Sequence, residues 1–279
     1  MPELPEVETM CRGIASIVGM QIDGIDQPPC DCRPCVIEPD IATLDQRLRG
    51  QTVAAIERRG KRVMLRLQNE TRLVIEPRMS GLVLLADPPS VEHLRLRVRL
   101  SSDSRPSTDL LVWDRRGLGT IRLLTPQQYT TQVDQRLGPD ALAIEADDLR
   151  SRLKTTTRPI KVALLDQTVV AGIGNLYAVE ILFAAGIDPR TRCDRLSRPK
   201  WQRIGAAITE VLDEAIANEG STLSDGTYRN ALNDPGGYQN LHRVYDRKDE
   251  PCVRCPTGRV RRIVQAQRST FFCDGCQKR

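Results

Sequence analysis

The feature that most constrains this chain is a set of four cysteines close to its C-terminus. Their spacing is C-x2-C-x17-C-x2-C, formed by Cys252, Cys255, Cys273 and Cys276. Four thiolates at such spacings are typical of a tetrahedral structural zinc site. A turn at Thr257–Gly258 and alternating residues after it predict a zinc-clamped β-hairpin between the two pairs. Disulfides and unliganded thiols are the alternatives.

Five further cysteines lie outside this pattern. Cys30, Cys32 and Cys35 belong to the proline-rich sequence PPCDCRPC. Three thiolates do not complete a tetrahedral structural site, so a metal there would need a fourth ligand, for example Cys11. We favour an exposed loop with free thiols.

Composition indicates a folded protein. Of its 279 residues, 40% are hydrophobic and 28% are charged, which suits one large domain or two. The sequence contains no run of about eighteen apolar residues and no basic segment followed by an apolar one at its start. We therefore expect a soluble cytoplasmic protein with no membrane association.

Positive charge is concentrated at one end. The net charge is +5, and residues 243–279 contain ten Lys or Arg against four Asp or Glu. A basic segment on a near-neutral body indicates a polyanionic partner, with nucleic acid as the first candidate. Because the chain has only 3 Phe, 2 Trp and 5 Tyr, we expect a duplex rather than a stacked single strand.

Hydrophobic periodicity predicts a helix over residues 3–18 and then β-strands. The strand-like segments are 62–68, 72–77, 81–85, 93–100 and 110–114. In the 93–100 segment Leu94, Leu96, Val98 and Leu100 alternate with His93 and three arginines, which we expect on the opposite face.

From residue 126 the pattern becomes helical. Two short apolar helices flank AGIGN, a longer helix is predicted over 201–218, and a long polar loop follows over 220–242. The expected fold class is α+β. We predict a helix plus an antiparallel β-sandwich over 1–125, a helical domain over 126–242, and the zinc hairpin over 243–279.

The N-terminus carries candidate chemistry. Removal of the initiator methionine would leave Pro2 with a secondary amine, which forms an iminium ion with an aldehyde-level carbon. Glu3 and Glu6 are close enough in sequence to transfer protons. The alternative is that these residues merely start a helix, where Pro and Glu are common.

Three stretches together resemble the formamidopyrimidine-DNA glycosylase family, the bacterial repair enzymes for oxidised purines. They are MPELPEVETMCRGI at the start, AGIGNLYAVEILFAAGIDP in the middle and QRSTFFCDGCQ at the end. The resemblance covers essentially the whole chain in the family's order. It implies a helix-two-turns-helix domain between the β-sandwich and the zinc finger.

The resemblance also implies a role for each matching residue. The catalytic residues would be Pro2 as nucleophile at C1′, Glu3 as proton donor, Lys61 in β-elimination and phosphate contact, and Arg268 in phosphate binding and δ-elimination, with Glu6 in support. The DNA-binding residues would be His93, Arg116, Lys161 and Asn175, and the residues that fill the void left by a flipped base would be Met79, Arg116 and Leu118. Because a guanidinium stays protonated, the electrostatic role is the one we expect of Arg268.

Two positions depart from the family pattern. Where the family usually has Phe after two consecutive arginines, this chain has Gly117 and Leu118, and leucine still wedges but stacks less well on bases than phenylalanine. Glu76 replaces the usual histidine near Met79, and a carboxylate there repels phosphates unless a cation such as Arg78 pairs with it.

The function implied is a bifunctional glycosylase and abasic-site lyase acting on 8-oxoguanine and formamidopyrimidines. We also expect one structural Zn²⁺ and damaged double-stranded DNA as the partner. The protein should be a monomer and associate with the nucleoid when it is bound to DNA. The PELPE start and the 220–242 loop favour this branch over the endonuclease VIII branch. A relative that prefers oxidised pyrimidines, a lesion-binding protein without activity, and a zinc-ribbon adaptor are the alternatives.

Overall fold

The structure, a computed structural model, describes residues 2–279, and Met1 lies outside the described residues. Contacts divide the chain into two compact units. The first consists of residues 2–136 together with Asn218–Gly237, and the second of Leu137–Ala217 together with Tyr238–Arg279. Among residues 2–279, none of the helices has the length and apolar character that a membrane crossing requires.

The first unit combines short helices with two β-sheets. Its helices are α1 (Leu4–Gly13), α2 (Ile41–Leu48) and α3 (Pro126–Gln132). Its strands are β1 (Gln21–Asp26), β2 (Val36–Glu38), β3 (Val53–Arg59), β4 (Arg62–Leu67), β5 (Arg72–Glu76), β6 (Gly81–Leu84), β7 (Leu94–Ser102), β8 (Arg105–Asp114) and β9 (Thr120–Leu124). The sheet orders are β1-β7-β8-β6 and β2-β9-β5-β4-β3, antiparallel except for the β2–β9 pair.

One hydrophobic core joins both sheets and α1. Side chains from all three elements are buried in it, including Val7, Met10, Leu65, Ile75, Leu96 and Val98. This arrangement confirms the β-sandwich with an N-terminal helix. The helix is shorter than the predicted 3–18, because a 3₁₀ turn over Ala15–Ile17 replaces its last turn.

The alternation predicted over residues 93–100 breaks at Arg95. Leu96, Val98 and Leu100 are buried as expected, but Arg95 is also buried, with 1% of its surface exposed. The register of β7 against β8 shifts between Leu94 and Leu96. Such a bulge redirects a side chain, which explains why Arg95 is not on an exposed face.

The second unit is built from helices and one hairpin. Its elements are α4 (Ala146–Leu153), α5 (Ile160–Leu164), α6 (Asn175–Ala185), α7 (Arg198–Ala217), β10 (Val260–Gln265) and β11 (Arg268–Cys273). α6 is apolar on nearly every side and almost wholly buried. α7 buries one face, which begins at Trp201 and ends at Ile216, as its sequence periodicity predicts.

The β10–β11 hairpin packs on α6. Val179 and Phe183 of α6 share a small core with Val260, Phe271 and Cys273 of the hairpin. The chain reverses at Ala266–Gln267, both with positive φ (46° and 60°), and not at the predicted Thr257–Gly258. Positive φ at two successive residues is the geometry of a tight two-residue hairpin turn, here adopted without glycine or asparagine.

Two segments belong to a different unit than their sequence suggested. The helix α3 lies in the first unit, where the Arg72 guanidinium stacks 4.6 Å from the Tyr129 ring centroid. Asn218–Gly237, most of the loop assigned to the helical domain, also packs in the first unit. Long-range contacts determine which unit each of these segments joins, and such contacts cannot be predicted from local composition.

Candidate functional site

The N-terminus of α1 gathers the predicted catalytic residues of the first unit. Pro2, Glu3 and Glu6 are all buried. Glu3 is the N-cap, and a reciprocal capping box joins its side chain to the Glu6 N–H and the Glu6 side chain to the Glu3 N–H, the latter at 2.8 Å. These bonds fix both carboxylates beside the proline.

The long polar loop closes over this helix start. The Ser221 N–H donates to the second oxygen of Glu6 at 2.8 Å. Gly220 has φ 75°, and a Cβ there would lie 2.8 Å from Glu6 Oε1, so glycine allows this approach. The Tyr228 hydroxyl donates to the Glu219 carbonyl at 2.9 Å. Burial, with the nearby charge of Glu6, raises the pKa of Tyr228 well above its ordinary value, so the phenol stays protonated.

Lys61 lies in the two-residue turn of the β3–β4 hairpin. Gly60 before it has φ 58°, the sign required of glycine at the first position of such a turn. Arg58 donates to the Gly60 carbonyl at 3.0 Å and to Glu8 of α1 at 2.8 Å. Burial raises the pKa of Glu8, but bonds from Arg58 and Arg12 outweigh it and leave that pKa lowered.

Contacts between α1 and β3 show which end of the helix the turn approaches. The Cys11 thiol donates to the Glu57 carbonyl at 3.5 Å, and Glu8 pairs with Arg58. Helix and strand therefore run in opposite directions, and the turn with Lys61 lies towards the N-terminus of α1. This orientation supports placing Lys61 with Pro2 and Glu3.

The three predicted void-filling residues are supported by one buried carboxylate. Asp114 accepts hydrogen bonds from Ser80 Oγ at 2.5 Å, Gly119 N at 2.8 Å and Arg116 N at 3.1 Å. Ser80 follows Met79, whose side chain is 39% exposed, and Arg116 is exposed as well. Asp114 therefore holds the β5–β6 turn and the β8–β9 turn together.

Gly117 is required by the local packing. It has φ 59°, and a Cβ there would overlap the carbonyl oxygen of Arg33. The proline-rich loop packs so closely against position 117 that only glycine fits there, which accounts for this departure from the family pattern.

Glu76 is neutralised by two arginines. Arg62 contacts one of its oxygens at 3.0 Å and Arg78 the other at 3.1 Å. The ion pair between Glu76 and Arg78 that we expected from the sequence is present, and Arg62 forms a second one. The group carries a net positive charge, which favours a phosphate nearby.

The three thiols of the proline-rich loop each contact a polar side chain of the first unit. Cys30 Sγ lies 2.7 Å from Arg95 Nη1, Cys32 Sγ lies 3.5 Å from His93 Nδ1, and Cys35 Sγ lies 3.4 Å from Asp114 Oδ2. The prediction of free thiols is confirmed, and Pro29, Asp31, Arg33 and Pro34 of the loop are exposed, whereas Cys30 and Cys32 are half-buried and Cys35 is buried. Cys11 does not join them, because it bonds to β3.

In the second unit, Asn175 is the first residue of α6 and is held on both sides. Lys161 Nζ donates to Asn175 Oδ1 at 2.6 Å, and Asn175 Nδ2 donates to the Ser269 carbonyl at 3.0 Å. Lys161 is 0% exposed, and its ammonium orients the Asn175 side chain. An ammonium at a helix N-terminus is unfavourable to the helix dipole, and an anion bound there relieves this.

The loop before α6 is braced by Gln167. Its side chain accepts from the Gly172 N–H at 2.9 Å and donates to the Ile173 carbonyl at 2.9 Å. Gly172 has φ 114°, which only glycine adopts readily. Nothing in the sequence distinguished Gln167 from other polar residues, and its role follows from the fold alone.

Arg268 begins β11, directly after the hairpin turn. It is exposed, and within residues 2–279 its guanidinium has neither a carboxylate nor a hydrogen-bond partner. The other exposed arginines of the hairpin differ, since Arg261 pairs with Asp274 at 2.6 Å and Arg262 bonds to Ser269 Oγ. Arg268 is the cation that this hairpin leaves available for an anion.

The four C-terminal cysteines form a site that fits structural zinc. All four sulfurs lie within 4.8 Å of one another, with 3.8 Å between Cys252 and Cys276 and 3.6 Å between Cys255 and Cys273. Tetrahedral ligands about 2.3 Å from zinc are separated by about 3.8 Å. The Arg254 and Gly275 N–H groups each donate to a cysteine sulfur at 3.3 Å. The cysteines are not joined as disulfides.

Comparison with known proteins identifies the family. Residues 1–121 match the N-terminal domain of formamidopyrimidine-DNA glycosylase, and residues 137–227 match its helix-two-turns-helix (H2TH) domain. The formamidopyrimidine-DNA glycosylase of Chloroflexus aurantiacus is 39% identical over 280 residues, which cover 99% of this chain and 98% of that protein. That of Solibacter usitatus is 37% identical over the whole of both chains. The chain belongs to the formamidopyrimidine-DNA glycosylase family.

Solved structures of this family share the fold. The Lactococcus lactis enzyme variant G226P in complex with DNA containing Fapy-dG has a TM-score of 0.87 and 32% identity, with full coverage of both chains. A structure of MutM with DNA containing carbocyclic 8-oxo-G has a TM-score of 0.86 at the same identity. Membership in the family confirms the resemblance seen in the three sequence motifs, and the cysteine cluster confirms the predicted zinc site.

Proposed function

We propose that this chain excises oxidised purines, 8-oxoguanine and formamidopyrimidines, from duplex DNA and then cleaves the strand at the resulting abasic site. Its relatives carry the glycosylase name, and similar structures hold DNA with such lesions. The observation that supports the residue assignments is the start of α1, where Pro2, Glu3 and Glu6 are buried together.

The first step is base release. With Met1 removed, the Pro2 amine attacks C1′ of the damaged nucleotide, the bond from C1′ to the base breaks, and the base leaves with a proton. Glu3 protonates the sugar ring oxygen, the ring opens, and the Pro2 nitrogen and C1′ form an iminium ion. Glu6 keeps the helix start in place, because its oxygens accept from the N–H groups of Glu3 and Ser221.

Strand cleavage follows from the iminium ion. Its positive charge stabilises loss of a proton from C2′, after which the bond from C3′ to the 3′ phosphate breaks. A second elimination removes the C4′ proton and releases the 5′ phosphate, and water frees the sugar fragment from Pro2. Lys61 lies towards the same end of α1 and supplies a cation for the departing phosphate.

DNA binding uses groups of both units. In the second unit, the Asn175 amide donates to a phosphate at the N-terminus of α6, and Arg268 supplies an unpaired guanidinium. In the first unit, Met79, Arg116 and Leu118 fill the space of the extruded base, held by Asp114 and Ser80. Zinc bound to Cys252, Cys255, Cys273 and Cys276 stabilises the hairpin that carries Arg268 and takes part in no step.

The proposal is tested by trapping. Sodium borohydride reduces an iminium ion to a stable amine, so incubation with duplex DNA containing 8-oxoguanine should give a covalent protein–DNA complex. Peptide mapping should locate the link at Pro2, and intact mass should show that Met1 is absent. Pro2→Gly should reduce the trapped fraction to background while the variant still binds the duplex.

Two matched duplexes address the alternatives. Faster excision of thymine glycol than of 8-oxoguanine would place the chain with enzymes for oxidised pyrimidines. DNA binding without any trapped complex on lesion or abasic duplex would contradict the enzymatic assignment and favour a lesion-binding protein.

A further inference from the structure

The loop between β1 and β2 carries two partly accessible thiols that the catalytic scheme does not use. Cys30 Sγ donates to the Glu92 carbonyl at 2.9 Å and accepts from Arg95 Nη1 at 2.7 Å. Cys32 Sγ lies 3.5 Å from His93 Nδ1. The two thiols therefore have different neighbours. Cys30 lies beside a cation, the Arg95 guanidinium, whereas Cys32 lies beside a possible proton acceptor, the His93 imidazole.

Arg95 is the unusual member of this group. It is 1% exposed, and its Nε donates to the Asp114 carbonyl at 2.9 Å. Its Nη2 is buried and has no hydrogen-bond partner among residues 2–279. A buried cation normally has an anionic partner, and of the atoms bonded to Arg95 only the Cys30 sulfur can become one.

We propose that Cys30 is a peroxide-reactive thiol and that Cys32 converts its oxidised form into a Cys30–Cys32 disulfide. The Cys30 sulfur attacks a hydroperoxide, the O–O bond breaks, and sulfenic acid and water (or an alcohol) form. The Arg95 guanidinium stabilises negative charge on the attacking sulfur, and its unpaired Nη2 gains the new oxygen as an acceptor.

The second step uses His93. Cys32 attacks the sulfur of the Cys30 sulfenic acid, its proton passes to His93 Nδ1, and the displaced hydroxide leaves as water after taking up a proton. The two thiols lose two electrons in total, and one hydroperoxide is reduced. Desolvation, together with the neighbouring Cys30, raises the pKa of Cys32, so it remains a thiol until the imidazole accepts its proton.

Other cysteines outside the zinc cluster are unsuited to this reaction. Cys11, Cys35 and Cys193 are buried. Burial raises the pKa of Cys11 and of Cys35 to about 12 and that of Cys193 to about 11. Since the thiolate is the reactive form, these three should remain reduced.

Oxidation of the loop can alter the position of the DNA-binding side chains through two contacts. The Arg33 carbonyl packs on Gly117, and Arg95 bonds to the backbone of Asp114. Both contacts lead to the segment that carries Arg116 and Leu118. A disulfide pulls Cys30 away from Arg95, so we expect lesion binding to weaken. This consequence rests on the proposed function, whereas the disulfide itself does not.

The test is a titration of the full-length, zinc-loaded protein with hydrogen peroxide, followed by non-reducing peptide mapping and a measurement of released zinc. The Cys30–Cys32 disulfide should form at peroxide concentrations that leave zinc bound, and dithiothreitol should reverse it. Cys32→Ser should accumulate a sulfenic acid at Cys30, captured by dimedone. Cys30→Ser should give neither product, and Cys193→Ser should behave as the unaltered chain does.

Separate results overturn separate parts. Oxidation of the zinc cysteines while Cys30 stays reduced, or dimedone labelling of Cys32 instead of Cys30, contradicts the assignment of the thiols. If the disulfide forms but affinity for an 8-oxoguanine duplex does not fall several-fold, the coupling to the DNA-binding segment is wrong. Failure of the borohydride trap in the reduced protein concerns the proposed function alone.

Discussion

Two helix N-termini, one in each unit, use the same backbone physics in opposite ways. At the start of α1 the chain places its own carboxylates, Glu3 and Glu6, against the main-chain N–H groups. At the start of α6 it places a glycine N-cap, Asn175 and the buried ammonium of Lys161. A helix start satisfied by internal carboxylates holds reacting groups in place, whereas one bordered by a cation is arranged to receive an anion from outside.

The largest expected effect concerns the α1 carboxylates. Glu3→Gln keeps the side-chain oxygen that caps the helix but removes the acid, so single-turnover excision of 8-oxoguanine should slow by about 10²- to 10⁴-fold. Glu8→Gln is the matched control, since Glu8 lies on the same helix and contacts Arg58 and Arg12. Equal losses in the two variants would show that Glu3 acts only through helix stability.

The next effect concerns the start of α6. Asn175→Asp retains an oxygen for Lys161 but replaces the amide donor by a charge that repels phosphate. Affinity for lesion duplex should fall about a hundredfold, as expected for loss of a hydrogen bond to a charged group plus repulsion. The introduced carboxylate would pair with the Lys161 ammonium but could not donate to the Ser269 carbonyl, so a thermal unfolding measurement must accompany the affinity to show that the variant is folded. Unchanged affinity in a folded variant would remove Asn175 from the DNA-binding surface.

A smaller effect is expected at Arg268. Arg268→Ala should lower the slope of log K against log salt by about 0.9, the contribution of one phosphate contact. Arg261→Ala is the control within the same hairpin, because Arg261 already pairs with Asp274. If both substitutions lower the slope equally, the hairpin attracts DNA only through its overall positive charge, and Arg268 makes no specific phosphate contact.

The smallest effect is a pH dependence of stability in the second unit. Burial lowers the pKa of His242 to about 4, with the charge of Arg247 adding to it. The unfolded chain takes up this proton near pH 6.5, so stability is lost as the pH falls from there towards 4. Between pH 7.5 and 5.5 the unaltered protein should lose about 1 kcal/mol more in urea unfolding than His242→Gln does. Identical losses would show that His242 titrates normally when folded.

Much of this molecule could be predicted from sequence because the signals are local. The cysteine spacing defines the zinc cluster, and period-two alternation defines β4, β5 and β6 within a residue or two. The hairpin turn was misplaced because Ala266 and Gln267 adopt positive φ only under the constraint of strand pairing.

Features that depend on long-range contacts were not predictable in this way. The burial of Arg95 depends on a bulge, and the support of Arg116 by Asp114 and Ser80 depends on two turns meeting. The bond between Ser221 and Glu6 joins residues more than two hundred positions apart, and nothing in a polar loop indicates which carboxylate it will contact. The start of α1 was identifiable from sequence, but its closure by this loop was not.

The most direct test of the contrast between the two helix starts measures affinity and borohydride trapping together, for Glu3→Gln and Asn175→Asp on one 8-oxoguanine duplex. We predict that Glu3→Gln binds with nearly unaltered affinity but gives little trapped complex. Asn175→Asp should bind weakly yet approach normal trapping at saturating protein. If both variants lose affinity and trapping in the same proportion, the two helix starts do not divide chemistry and phosphate binding between them.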